Sequence, residues 1–193
     1  MRRRDLIAGV GSLAVLAGGG VVATQGLPSA GDGGDDADRG DYSDDPIEIE
    51  TVDAPGSEAG TMAVPQPGQV MVLDFFMTTC GVCQDMMPVL AEARAALDDD
   101  NDVRFLSVTH ERSIENAELA EWWADYDGDW SVGRDESVDL FERYGVTGVP
   151  ETVVIDGAGD VHWNNTGRKT VEELVDAVDG TVAAIEEPTD ESN

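Results

Sequence analysis

The feature that most constrains the fold is a pair of cysteines, placed between an apolar segment and a helical pattern. They stand as Cys80-Gly81-Val82-Cys83 and are the chain's two cysteines. Residues 70–77 before them form a nearly continuous apolar run, typical of a strand buried on both faces. Apolar residues then recur at helical spacing, at Met86, Val89, Leu90, Ala93 and Leu97. This order predicts a buried strand, a short turn and a helix that begins at the cysteines.

The rest of the central region alternates predicted strands and helices. Further strands are predicted at residues 47–52, 103–109, 151–156 and, as a hairpin partner, 161–163. Further helices are predicted at residues 113–126, 138–144 and from 170 onward, where Thr170 and Glu173 form a capping box. Pro88 is expected to interrupt and kink the first helix. The pattern predicts an α/β protein with a mixed central sheet flanked by helices.

The placement of the cysteines favours redox chemistry. A sulfur at a helix N-terminus lies near unpaired N–H groups and the positive end of the helix dipole, which stabilise a thiolate. The spacing puts both sulfurs on one face, close enough to form a disulfide. We expect Cys80, the more exposed, to attack a substrate disulfide and Cys83 to resolve the mixed disulfide. An inert disulfide or a metal site is the alternative, but a zinc site needs more ligands, and His110 and His162 lack the spacing. No metal and no cofactor beyond the redox-active disulfide is therefore expected.

The charge of the chain limits its partners and indicates its surroundings. Its 41 acidic and 11 basic residues give a formal net charge of −30. Nucleic acid is excluded as a default partner, because phosphate binding needs clustered cations. The acids are spread along the chain and Lys169 is its single lysine. Such a composition indicates a halophilic protein, whose acidic surface stays hydrated while salt screens the self-repulsion; a polycationic partner would need a localised acidic patch.

The N-terminal region has the pattern of an export signal. Arg3 and Arg4 precede an uncharged stretch at residues 6–23, and the combination resembles a Tat-type signal. We therefore expect residues 1–23 to be a signal peptide or membrane anchor, which leaves the protein secreted or held at the membrane by residues 6–23. The other expected segments are an acidic flexible linker at 24–45, a folded domain at 46–187 and a disordered tail at 188–193.

The order strand, Cys-x-x-Cys, helix, followed by Gly148-Val149-Pro150 ahead of a strand, resembles the thioredoxin fold. The resemblance implies that Pro150 is cis and lies against the disulfide, and that Val149 pairs with the substrate backbone. It also implies a role for Asp74, six residues before Cys80. Asp74 matches the buried carboxylate that accepts the proton of the resolving cysteine.

More narrowly, residues 48–187 resemble the extracytoplasmic TlpA/ResA-type branch, through the strand before the core, the helical insertion at 113–126 and the sequence of residues 144–152. In related cytochrome c maturation proteins, a glutamate after the cis-proline helps to make the site acidic, and Glu151 occupies that place; the alternative is one more surface acid. The branch implies an enzyme that reduces disulfides or CxxC motifs of specific partners and is recharged by a membrane thiol electron donor. We expect a monomer.

Two departures from the family pattern leave the redox direction open. Thr79 stands where the family has tryptophan, and the dipeptide Gly81-Val82 lacks the usual proline. Both changes affect the thiolate pKa, so a disulfide-forming oxidase is one alternative. A Sco-like copper chaperone on the same fold is another. Those proteins hold copper with two cysteines that have three residues between them and with a distant histidine. Here two residues lie between the cysteines, and the histidine would be His110 or His162.

Overall fold

A computed structural model describes residues 45–97 and 102–186. The predicted signal or anchor at 1–23, the linker up to residue 44 and the tail at 188–193 lie outside the described residues. Within the described ranges, no helix combines the length and the apolar character that a bilayer span requires.

The described residues form one mixed sheet with helices on both faces. The strands are β1 Ile47–Thr51, β2 Gly60–Val64, β3 Val70–Phe75, β4 Val103–Thr109, β5 Ser131–Arg134, β6 Glu151–Ile155 and β7 Val161–Thr166. The helices are α1 Gly81–Ala96, α2 Asn116–Asp125, α3 Asp139–Arg143 and α4 Val171–Glu186. The strand order is β2-β1-β5-β4-β3-β6-β7. Strand β4 is parallel to β3 and β5, and the other pairs are antiparallel. The predicted α/β thioredoxin-like architecture is confirmed.

Strand β3 lies inside the sheet and is buried along its whole length. Its side chains alternate between two apolar cores, because successive residues of a strand point to opposite faces. Val72, and Phe76 directly after the strand, pack in the core that also contains residues of α1, α2 and α4. Leu73 and Phe75 pack in the other core, with residues of α3. Asp74, between Val72 and Phe76, therefore belongs to the face that α1 covers.

Two strands lie outside the sequence-based predictions, and one prediction is wrong. Strands β2 and β5 were not predicted: β2 is a half-exposed edge strand that follows Gly/Pro-rich residues, and β5 has four residues. Neither carries a long periodic signal. The predicted interruption at Pro88 is wrong, since α1 continues through it. Pro88 lies on the exposed side of α1, where the carbonyl that loses its helical partner can bind water.

Glycine is required at Gly56, in the turn after β1. Gly56 has φ +70°, and a Cβ atom there would overlap the backbone of Asp129 and Trp130. Gly68 has φ +76°, but nothing lies within 4 Å of its would-be Cβ. We predict that Gly68→Ala lowers the free energy of unfolding by about 1–2 kcal/mol, from backbone strain alone. Gly56→Ala should cost about 1–3 kcal/mol more, because the overlap adds to the same strain. Denaturant unfolding of both variants measures the difference, and equal losses would contradict the close approach.

Candidate redox site

The two cysteines form a disulfide at the N-terminus of α1, with their Cα atoms 5.2 Å apart. Cys80 is the N-cap residue, and its sulfur accepts a hydrogen bond from the Cys83 N–H at 3.2 Å. Cys80 is partly exposed, whereas Cys83 is buried at 2% exposure. The predicted difference in exposure is therefore confirmed. A backbone N–H directed at Cys80 Sγ is the kind of contact that stabilises a thiolate once the disulfide is reduced.

The segment before β6 borders the more exposed sulfur. The Val149–Pro150 peptide bond is cis, as the family resemblance implies. The Val149 carbonyl oxygen lies 3.8 Å from Cys80 Sγ. Pro150 is buried, and its carbonyl oxygen accepts a hydrogen bond from the Gly167 N–H at 2.8 Å. The backbone of Val149 is thereby held beside Cys80.

Asp74 is a buried carboxyl group in the middle of the sheet, at 3% exposure. Its register partners are Ser107 on β4 and Thr152 on β6. The Ser107 hydroxyl donates to Asp74 Oδ2 at 3.1 Å, and the Thr152 hydroxyl donates to Oδ1 at 3.3 Å. Burial raises the pKa of Asp74, while the charge of Lys169 and the two hydroxyl hydrogen bonds oppose that rise. The predicted burial of this carboxyl is confirmed.

Lys169, just before α4, is a buried residue of the site that the sequence reasoning did not identify. Its ammonium group donates to Thr152 Oγ1 at 2.7 Å, and the side chain is 5% exposed. Burial lowers the pKa of Lys169, and the charges of Asp74, Glu151 and Glu173 oppose that change. The signal that the sequence offers is compositional: of the 11 basic residues, ten are arginines and one is a lysine.

Glu151 follows the cis-proline and begins β6, with 6% exposure. The negative charge of its carboxylate opposes the lowering of the Lys169 pKa by burial. The alternative interpretation of Glu151 as one more acid of the solvated surface is therefore wrong. Glu151 therefore carries a carboxyl group directly after the Val149–Pro150 segment, which borders Cys80.

Glu111, after β4, fixes the loop that leads to Cys80, and sequence reasoning also missed it. The Thr78 N–H donates to Glu111 Oε2 at 2.6 Å, and the Thr78 hydroxyl donates to Oε1 at 3.1 Å. Gln84 on α1 donates its amide to the Thr78 carbonyl at 3.0 Å. The backbone oxygen of Glu111 in turn accepts from Arg134 at 2.7 Å. One acid among 41 gives no local signal of such a role.

The two histidines lie in separate places. His110 packs edge-on against Phe141, with ring centroids 4.5 Å apart. His162 Nε2 lies 2.8 Å from Asp156 Oδ2 at the β6–β7 hairpin. Within residues 45–97 and 102–186, no group of three or more His, Cys, Asp or Glu side chains is arranged to hold a metal ion.

Comparison with known proteins places these features in a family. The model of the Redoxin family matches residues 45–180, more than half of the chain. The chain belongs to the Redoxin family. With the Cys80–Cys83 disulfide at a helix N-terminus, this Redoxin is a thiol–disulfide oxidoreductase, an enzyme that acts on disulfide-bearing proteins.

Several solved structures share the fold of this Redoxin at low sequence identity. StoA from Bacillus subtilis is 19% identical and has a TM-score of 0.58, over 68% of this chain and 95% of that chain. A secreted Mycobacterium tuberculosis disulfide oxidoreductase homologous to E. coli DsbE is 20% identical, with a TM-score of 0.56 over 69% and 95% of the two chains. The exposed lipoprotein thioredoxin Etrx1 from Streptococcus pneumoniae is 22% identical, with a TM-score of 0.56 over 70% and 98%. No curated protein matches the sequence.

The raised pKa of Asp74 predicts a pH-dependent stability that an Asp74→Asn variant can isolate. Above the ordinary pKa of 3.8, the unfolded chain releases a proton that the folded protein still holds. The stability of the wild type relative to Asp74→Asn should therefore fall as the pH rises from 3.8 through the raised folded pKa. The fall amounts to about 1.4 kcal/mol for each unit by which the folded pKa exceeds the unfolded one. Denaturant unfolding of both proteins from acid to neutral pH, at constant salt, measures it; a wild type that gains stability relative to Asp74→Asn as the pH rises would contradict the prediction.

Proposed function

We propose that the chain is an extracytoplasmic reductant of disulfides in specific partner proteins, of the cytochrome c maturation type. The observation that carries the proposal is the arrangement around the disulfide. Cys80 Sγ is the more exposed sulfur and lies beside the Val149 carbonyl, whereas Cys83 is buried on the sheet face that carries Asp74. One sulfur thus belongs to a partly exposed residue, and the other is buried on the same face of the sheet as a carboxyl group.

In the proposed reaction, the Cys80 thiolate attacks one sulfur of the partner's disulfide. That disulfide breaks, Cys80 becomes bonded to the attacked sulfur, and the other sulfur leaves as a thiolate. Cys83 then gives its proton to the Asp74 carboxylate and attacks Cys80 Sγ. The mixed disulfide breaks, the Cys80–Cys83 bond forms and the partner's second thiolate leaves. Two electrons pass to the partner, and a membrane thiol electron donor returns them to the cysteines.

Val149 and Pro150 are proposed to bind the partner during this exchange. The Val149 carbonyl oxygen, 3.8 Å from Cys80 Sγ, is placed to accept a hydrogen bond from the partner's backbone. Pro150 is buried and keeps the segment in position through its bond to the Gly167 N–H. A backbone contact of this kind positions a disulfide of varied sequence over Cys80. The side chains around it set the preference for one partner over another.

The charges near the site favour reduction over oxidation. Strong oxidants of this chemistry have a stabilised reduced form, with a thiolate of very low pKa. Two buried carboxyl groups belong to this region: Glu151 directly follows Pro150, and Asp74 lies on the face of β3 that α1 covers. Negative charge at these positions disfavours a nearby thiolate and so favours the disulfide product. This is the support for a reductant and against the oxidase alternative.

The extracytoplasmic location and the high-salt setting are part of the proposal. They rest on the twin-arginine pattern in residues 1–23 and on the 41 acidic residues against one lysine. Similar structures include a secreted disulfide oxidoreductase and an exposed lipoprotein thioredoxin. A folded domain tethered or released outside the membrane, and acting as a monomer, would meet partner proteins there.

The proposed order of attack predicts different behaviour for the two single cysteine variants. Reduced Cys83→Ser should form a mixed disulfide with a disulfide-containing protein such as insulin and retain it, because no second thiol can displace it. Cys80→Ser should form no such adduct, and its reduction of insulin should fall to the uncatalysed rate. Non-reducing electrophoresis and intact mass measure both. A Cys80→Ser variant with full exchange activity would contradict the assignment.

The direction of electron flow is tested by the reduction potential of the Cys80–Cys83 pair. Titration against dithiothreitol in high salt should give a potential of about −270 mV or lower. Glu151→Gln should raise it, because a negative charge near the thiolate is removed, while Glu48→Gln on the exposed side of β1 should leave it unchanged. A wild-type potential near about −120 mV would favour the oxidase alternative. Stoichiometric copper(I) retention that depends on a histidine would favour the copper chaperone.

A further inference from the structure

We propose that Lys169 is a positioning residue that favours the ionised form of Asp74 by acting through the hydroxyl group of Thr152. Its consequence for catalysis rests on the proposed role of Asp74 as acceptor of the Cys83 proton. The ammonium group of Lys169 acts on Thr152 and takes no direct part in the sulfur exchange. Its place is two residues beyond Gly167, which holds the Pro150 carbonyl, so the same segment supports both sides of the site.

The proposal stands first on a continuous chain of buried hydrogen bonds. Its members, each no more than 5% exposed, are Trp130, Ser107, Asp74, Thr152 and Lys169. The Trp130 indole donates to Ser107 Oγ at 3.0 Å, and the Ser107 hydroxyl donates to Asp74. From the other side, the Lys169 ammonium donates to Thr152 Oγ1 at 2.7 Å, and the Thr152 hydroxyl donates to Asp74. Both arms end on the same carboxyl group.

The direction of these bonds is fixed by the two end groups. An indole N–H and an ammonium group can only donate. The oxygens of Ser107 and Thr152 therefore accept, and their hydrogens are left to point at the two oxygens of Asp74. A carboxylate accepts both hydrogen bonds. When Asp74 is protonated and donates its own hydrogen to one of these hydroxyl oxygens, that hydroxyl must turn its hydrogen away and loses its acceptor. The network is thus arranged for the charged form, against the effect of burial.

The charges that face Lys169 come from three elements packed around it. They are Asp74 on β3, Glu151 on β6 and Glu173 on α4, of which Glu173 lies at the exposed capping box. From α1, Asp85 pairs with the neighbouring Arg168 at the surface. Lys169 therefore places its positive charge on the inner, carboxylate-lined side of the segment. Arg168, its neighbour, directs the same charge to the outside.

The chemical consequence concerns one proton. In the resolving step, the Cys83 S–H bond breaks and the proton passes to an oxygen of Asp74, so one of the two hydroxyl groups can no longer donate to it. Lys169 neither gains nor loses a proton. After Cys83 has attacked Cys80 and the partner's thiolate has left, Asp74 releases the proton to that thiolate or to solvent. The return of the hydroxyl bonds favours this release, so Asp74 is ready for the next turnover.

The first test compares Lys169→Met with Arg168→Met, which remove the same charge from neighbouring positions. Lys169→Met should move the acid limb of the pH profile for mixed-disulfide resolution to higher pH. The resolution rate below that limb should fall about tenfold for each unit of the shift and recover at higher pH. Arg168→Met should keep the wild-type profile. Attack by Cys80, followed in the Cys83→Ser background, should be unchanged in both variants. An unshifted profile in Lys169→Met would overturn the proposal.

The second test needs no Lys169 variant, because Lys169 is the single lysine of the chain. Protein labelled with ¹³C at the lysine Cε should give one resonance in the folded state. In the oxidised wild type we expect this resonance to shift as Asp74 titrates. The step should vanish in Asp74→Asn and persist in Arg168→Met. A resonance that shows no step shared with Asp74 would overturn the coupling. Because this readout involves no substrate, absence of reductase activity would count against the proposed function alone.

Discussion

The structure depends on holding one carboxyl group, Asp74, inside the apolar centre of the sheet. A charge there is costly unless hydrogen bonds and an opposite charge accompany it. The sheet supplies both through its register, which sets Ser107 on β4 and Thr152 on β6 directly beside Asp74. That register needs β3 to lie between β4 and β6, so the strand order and the site chemistry are two aspects of one arrangement.

The disulfide joins this arrangement through α1, which covers the same face of β3. Cys83 packs in the core on that face, and Cys80 stands at the helix end beside the Val149 segment. Glu111 holds the loop between β3 and α1, so the helix start is fixed from β4 as well. Each sulfur therefore has a different surrounding, although the two residues lie three positions apart. The difference follows from the packing of the helix rather than from the cysteines themselves.

The sequence predicted those parts of the site whose residues lie close together in the chain or match a family pattern. The apolar run of β3, the helical spacing of α1, the burial of Asp74 and the cis-proline segment were all foreseen from residues close together in the chain or from their family pattern. Strands β2 and β5 lacked such signals. Lys169, Thr152 and Glu111 act through partners 17, 78 or 33 residues away, in contacts that only the tertiary fold creates. No periodicity or spacing reveals them.

The composition and the site are connected at Lys169. The chain has ten arginines and one lysine. A general shortage of lysine would not by itself favour keeping a lysine at any particular position. The one that exists is buried, with its ammonium on the Thr152 hydroxyl. A guanidinium is a broad planar group with five donors, whereas an ammonium is a compact charge that a small buried site can hold with few partners. A buried position among carboxylates, next to a single hydroxyl acceptor, therefore suits lysine and not arginine. The single lysine of the chain thus occupies a buried position where the difference between an ammonium and a guanidinium group matters most.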